Sequence, residues 1–346
     1  MKKNTIKVLL LGLAAGISAC TTGSRQNMSQ ERNRYEFSNI LNIALTPDST
    51  VHRAGCFTDA GSWMGFTIPQ QDKWVNGFCG PFSIDNRIWF AQSIVEASLI
   101  GETTAMTPDS ASYFPGEVYI SSSSGTESIS QRMNFINAST ALLQIESNSG
   151  KGLCFTARQW NNNVHLEAER NIVTARHSNG EIVTLTFDSD ITLTCDGKNY
   201  VAQTEPGCKK TDIAISFFAS EKELPVSEQR IQALLNNPSQ ELKANADRWN
   251  GYLQKILRND MKPEYDRIAV KSAVTLISNW RTHREGLLHE GVIPSHAVGY
   301  FVGFWAWDSC SGKLCSRTGE KQYSCHVRLP VARRYDYRLY LYQFGR

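Results

Sequence analysis

The chain has 346 residues, room for two domains of ordinary size, and its 41% hydrophobic and 20% charged residues are those of a soluble globular protein. Its formal charge of +3 misleads, because from Cys310 on six Arg and two Lys face one Glu and one Asp, so the rest of the chain is net acidic. No basic stripe runs through that body, which argues against nucleic acid as a partner.

The N-terminal stretch "MKKNTIKVLLLGLAAGISAC" has two lysines, an apolar run and small residues ending in Cys20. That is the pattern of a secretory signal, too short and wrongly flanked for a stable membrane span. "ISAC" also resembles a bacterial lipobox, in which the cysteine becomes the lipidated first residue. The expectation is a signal peptide over 1–20 and a cell-envelope lipoprotein, periplasmic or outer-membrane-anchored, held to the membrane by acyl chains. A plain signal peptide with an incidental cysteine is the alternative. Residues 21–35 are polar and read as a tether.

From residue 36 to 223 the pattern is β. Short runs such as "RIWFAQSIVEASLI", "GEVYISSSS", "TALLQIES", "GLCFTARQW", "ITLTC" and "DIAISFFAS" are broken by Gly, Asn, Asp and Ser. "HSNGEI" suits a two-residue hairpin connection through Asn179-Gly180. Many short strands at this spacing predict a β-sandwich domain rather than a parallel sheet.

Near Leu224 the period changes. Ile231, Leu234 and Leu235, then Leu242, Ala246, Trp249, Leu253 and Leu257, fall at helical spacing, with Ser227 and Ser239 as candidate caps. Residues 224–262 read as a helical linker. Pro263 suits the first turn of a further helix carrying Ile268, Val270, Val274, Ile277 and Trp280.

Nine cysteines are present. Cys195 and Cys208 could close a small loop in an oxidising compartment, or remain free buried thiols like Cys56, Cys79 and Cys154. No spacing suggests zinc, so neither metal nor cofactor is expected.

The chemistry concentrates in "GYFVGFWAWDS", residues 299–309, where Phe304, Trp305 and Trp307 stand within four residues of Asp308. Aromatic faces stack on the C–H faces of sugars, and a carboxyl beside indoles has its pKa raised by desolvation, as a general acid requires. An aromatic core corner, with Asp308 capping the next helix, would give the same spacing.

This motif resembles the general-acid motif of glycoside hydrolase family 63, which reads on as "WDSWKHA" and whose members include processing α-glucosidases and relatives acting on mannosylglycerate-type substrates. The resemblance covers roughly residues 36–309, its specific part being about the last twenty-five of these. It implies a β-sandwich, a helical linker and the first helices of an (α/α)6 barrel over 263–309. It also implies an inverting α-glycosidase with Asp308 as general acid, Phe304, Trp305 and Trp307 around the non-reducing sugar, and a carbohydrate substrate. The general base of that family comes from late in the barrel. Glu285 and Glu290 do not match it.

After Ser309 the text departs from the family. "HVRLPVARRYDYRLYLYQFGR" has no helical stripe. Codons for Ser311 onward, read one nucleotide later, include a synonymous set spelling "VANCAPELAKNNIRAMFDYQLPDGMI", a helix followed by a turn. We therefore expect residues 310–346 to be an out-of-frame tail, the chain to be a truncated, inactive product, and its barrel fragment to be loosely docked. A non-catalytic carbohydrate-binding envelope lipoprotein, using the sandwich and the aromatic motif, is the rival expectation. A structural or interaction protein with no sugar role is a third.

Overall fold

The structure, a computed structural model, describes residues 33–48, 55–102, 104, 106–188, 190–257, 260, 262–284 and 289–304. Cys20, Trp305, Trp307, Asp308 and the tail 310–346 lie outside them.

In chain order the strands are β1 (Met64–Thr67), β2 (Cys79–Ser83), β3 (Ile88–Trp89), β4 (Ala91–Leu99), β5 (Thr107–Phe114), β6 (Glu117–Ser124), β7 (Glu127–Phe135), β8 (Thr140–Ser147), β9 (Leu153–Trp160), β10 (Val164–Glu169), β11 (Ile172–His177), β12 (Ile182–Phe187), β13 (Ile191–Cys195), β14 (Tyr200–Thr204) and β15 (Lys210–Phe218). One sheet has seven strands in the order β1-β2-β4-β9-β14-β13, with β3 on β2, and the other has eight in the order β10-β11-β12-β15-β8-β7-β6-β5. All pairings are antiparallel except β2 with β4 at Gly80 and Ser93. This is the predicted sandwich.

Inward residues of the two sheets close one core. Phe66 meets Phe135 at 6.2 Å between ring centroids, and Phe155 meets Phe187 at 5.6 Å. Each fully buried Phe contributes on the order of 1.5–3 kcal/mol of apolar transfer. The expected two-residue hairpin at Asn179-Gly180 is instead a three-residue loop. The His177 N–H donates to the Glu181 carbonyl, the Gly180 N–H to the His177 carbonyl, and only Gly180 has positive φ, at +95°. A type I turn closed by a left-handed glycine needs no second residue in that region.

Three helices follow: α1 (Leu224–Asn236), α2 (Pro238–Ile256) and α3 (Asp266–Asn279). Neither candidate serine is a cap. Helix α1 already begins at Leu224, with Pro225 in its first turn, and Asn237 joins α1 to α2 ahead of Pro238. Proline at a helix start loses no hydrogen bond, since the first N–H groups have no partner within the helix. Ile231, Leu234 and Leu235 of α1 cover the outer face of the eight-stranded sheet at Leu142, Ile182, Ala214 and Phe218. That cover explains why β12 and most of β15 are buried on both faces instead of alternating.

The expected loose docking is corrected by the burial. Trp249, Leu253, Val270 and Val274 belong to the same core as the sandwich, together with Ile293 and Val302. The helices lean on the sandwich and do not depend on barrel neighbours for this face. The body also starts earlier than the 21–35 tether allowed. Arg34 is buried, and its Nη2 pairs with Glu117 Oε2 at 2.8 Å.

Candidate functional site

The segment that leads into the aromatic motif is short of regular structure, so what fixes it is side-chain chemistry. Two short strands, β16 (Trp280–Arg281) and β17 (Gly291–Val292), pair just after α3. The segment then runs through Ile293 and His296 to a turn at Gly299–Phe301 and on to Phe304.

His296 is the first pin. It is buried, and the backbone N–H of Cys56 donates to its Nε2 at 3.2 Å. The ring proton therefore sits on Nδ1, which donates to Asn279 Oδ1 at 2.8 Å. The same Asn279 oxygen accepts the His296 backbone N–H at 3.0 Å, and Asn279 Nδ2 donates to the Thr275 carbonyl at 3.0 Å. One imidazole thus ties the loop before β1 to the end of α3. Burial, aided by the nearby Arg281 and Arg87 charges, pushes the His296 pKa down to about 3.

Arg87 is the second pin. It reaches from the turn between β2 and β3 to donate to the carbonyls of His296 and, at 3.1 Å, of Ala297, while its guanidinium lies 4.7 Å from the Phe82 ring. Arg281 is the third. It is wholly buried and donates to the carbonyls of Trp280 at 2.6 Å and Ser278 at 2.7 Å, at the C-terminal end of α3, where carbonyl dipoles favour a cation. Burial lowers its pKa to about 10, so it stays charged at neutral pH. The adjoining Cys56 thiol is pushed up to about 12 by burial and is no nucleophile.

Next to these, the Thr282 N–H donates to the Gly61 carbonyl at 3.0 Å, and Trp63 Nε1 donates to the Thr282 carbonyl at 3.1 Å. Arg284 Nη2 donates to the buried Glu181 at 3.1 Å. The sandwich loops, residues 279–284 and residues 289–304 therefore form one scaffold, and its chemistry is that of holding a chain in place.

Phe304 is the one predicted site residue among those described. It is half-buried, and its ring approaches Gly291 so closely that a Cβ there would lie 2.6 Å from it. β17 therefore needs glycine at that point. Glu290, already set aside as a base, is exposed. The five described cysteines, Cys195 and Cys208 included, are free thiols, and no cluster of metal-ligating side chains occurs among the described residues.

Sequence reasoning missed Arg87, Asn279, Arg281 and His296. They come from separated stretches, and each alone reads as an ordinary polar residue. The only local signal was a histidine inside the otherwise apolar "VIPSHAVGY".

An acid titration checks the His296 pin. The unfolded chain takes up this proton near pH 6.5, the folded chain only near pH 3. Stability from this group is thus complete above pH 6.5 and is lost as pH falls from there towards 3. At pH 5 the loss is about 2 kcal/mol, at roughly 1.4 kcal/mol per pH unit. Urea midpoints at pH 7 and 5 should separate less in His296→Gln than in the parent. Equal separation would remove His296 from the account.

No protein-family profile matches the chain. Its fold is similar to that of a family 92 inverting mannosidase from Bacteroides thetaiotaomicron, at 11% identity and TM-score 0.49, over 75% of this chain and 43% of that one. It is similar to a second family 92 glycosyl hydrolase at 9% identity and TM-score 0.46, over 70% of this chain and 42% of the other. A family 81 glycoside hydrolase from Clostridium thermocellum matches at 11% identity and TM-score 0.29, over 54% and 27%. The chain thus spans less than half the length of these solved structures.

Proposed function

We propose that the sequence encodes the N-terminal part of an inverting α-glycosidase of the family 63 type, α-glucosidase-like, acting on an oligosaccharide or a glycosyl-glycerate. The observation that carries this reading is "GFWAWDS", one carboxylate set among three aromatic rings. Asp308 protonates the leaving glycosidic oxygen, and Phe304, Trp305 and Trp307 hold the ring of the sugar that is released. A general base on the opposite face activates water, which gives inversion. Acid–base chemistry of this kind needs no cofactor.

Two features of the described residues support the reading. His296, Arg87 and Asn279 pin the run-up to the motif, and a catalytic acid must be held to within a fraction of an ångström. Helix α3 also leaves Ile268 63% exposed, as the opening helix of an (α/α)6 barrel would before its neighbours pack on it. A change of reading frame just after Ser309 accounts for the altered character of the tail. The test is α-glycosidase activity when the frame is restored with its downstream sequence, and its loss in Asp308→Asn.

Anchoring is part of the proposal, with Cys20 as the lipidated first residue of the mature protein. Metabolic labelling with a fatty-acid probe is expected in the parent and absent in Cys20→Ala. No label in the parent, or equal label in both, rules the anchor out.

A further inference from the structure

A cleft of about 240 Å³ opens where the turn between β7 and β8, the end of β15 and residues 282–284 meet. It falls just under the roughly 300–1,000 Å³ of sites for drug-sized ligands, a size that suits one ring. Its walls include Trp63, Phe217, Arg284, Glu223, Ser139 and Ala219.

Arg284 gives the cleft its chemistry. Its side chain is 10% exposed, and its guanidinium lies 5.9 Å from the Trp63 ring and 5.2 Å from the Phe217 ring. Nη2 is taken by Glu181. Nε and Nη1 have no hydrogen-bond acceptor among the described residues, although Nη1 lies 3.9 Å from Asp85 Oδ2. Both atoms are shielded from solvent, and buried donors without acceptors cost on the order of 1–3 kcal/mol each, so a ligand that draws the guanidinium towards the cleft gains by supplying an oxygen.

Charge selects the kind of oxygen. Glu181 and Asp85, behind the wall, already offset the guanidinium, and the wall itself carries Glu223 and His283 beside Arg284, so no surplus of positive charge is left to select an anion. A free cation meets Arg284. A neutral hydroxyl fits both, because its oxygen accepts from the guanidinium while its proton goes to a carboxylate. Phe217, Trp63 and Ala219 offer apolar surface to C–H groups.

We propose that this cleft binds one neutral sugar ring, at a site built without residues 304–308. Ligand-observed saturation-transfer NMR on the full chain tests it, with methyl α-D-glucopyranoside and methyl α-D-mannopyranoside as probes. Saturable transfer from at least one glycoside is expected, with a Kd on the order of 1 mM, as suits a small ligand. Ser139→Trp and Ala219→Trp fill the cleft from two sides and should each abolish the signal at an unchanged melting temperature. Because the proposed function also sets a sugar on the aromatic motif, each filled variant is made in a Trp305→Ala background, where the unfilled protein should still give saturable transfer. No saturable transfer from either glycoside overturns the proposal, as does retention in either filled variant of that background. Loss of the transfer in Trp305→Ala alone moves the sugar to the aromatic motif. That result overturns the cleft and leaves the glycosidase reading standing. A dead Asp308→Asn enzyme, conversely, says nothing against the cleft.

Discussion

Asp308→Asn in a frame-restored protein is expected to lower kcat by about 10²–10⁴ on a substrate with a poor leaving group. Breaking a glycosidic bond to a sugar or a glycerate leaves an alkoxide unless a proton arrives in the transition state. Asparagine keeps the size and one carbonyl oxygen but cannot deliver that proton. On the proposed reading the aromatic rings hold the sugar in both proteins, so KM should change little. On an aryl glycoside with a good leaving group the deficit should shrink sharply, since little protonation is then needed. This difference between leaving groups separates an acid from a residue that merely holds the site together. A uniform loss on both substrates would give Asp308 a structural role. An unchanged kcat on the poor leaving group would end the assignment.

How much of this was legible in the sequence depends on the range of the interaction that decides each feature. β8 and β13 match the runs "TALLQIES" and "ITLTC" residue for residue, because alternation and flanking turns are local. β5, "TPDSASYF", was missed. It is an edge strand rich in polar side chains, with only Tyr113 buried, so no alternation marks it. β7, "ESISQRMNF", carries Ile129, Met133 and Phe135 at even spacing, but the polar Gln131 interrupts the series. Its Nε2 donates to the Asn76 carbonyl at 2.7 Å, a partner fifty-five residues away that no local pattern announces. β2, "CGPFS", is wholly buried and holds a Gly and a Pro, the residues least typical of strands.

The same distinction applies to the site. The aromatic motif is contiguous and could be read directly. The scaffold that leads into it joins residues some two hundred positions apart, as when Arg87 clamps the His296 and Ala297 carbonyls. The helices were read correctly as amphipathic, but the surface they cover was not. Periodicity says that a face is buried and is silent about what buries it. For that reason the barrel fragment that opens with α3 is expected to dock loosely, when Val270 and Val274 pack into the sandwich core.

Asp59→Ala is expected to cost about 3–5 kcal/mol, the range found when one partner of a buried ion pair is removed. Asp59 is 1% exposed and sits in the loop before β1. Its two oxygens take both terminal nitrogens of Arg248, at 3.0 and 2.6 Å, and the indole Nε1 of Trp249 at 2.8 Å. One carboxylate thus satisfies three donors on α2, and a bidentate guanidinium pair is the geometry in which such bonds are strongest. Alanine leaves the Trp249 N–H buried without its acceptor and Arg248 without its counter-charge. Asp59→Asn should fall between alanine and the parent, because it keeps an acceptor for the indole and loses the charge. The effect should also be directional. Helix α1 holds to the eight-stranded sheet through its own apolar cluster at Leu142 and Phe218, whereas the donors that Asp59 receives lie on α2. Limited proteolysis of Asp59→Ala should therefore open cleavage within α2 and beyond while sparing the sandwich together with α1. In the parent, resistance should extend through α3. A penalty under about 1 kcal/mol would assign the docking to apolar burial of Trp249, Leu253 and Val274 alone. Equal susceptibility of sandwich and helices would mean that the two unfold as one cooperative unit, and that Asp59 stabilises the whole rather than the joint.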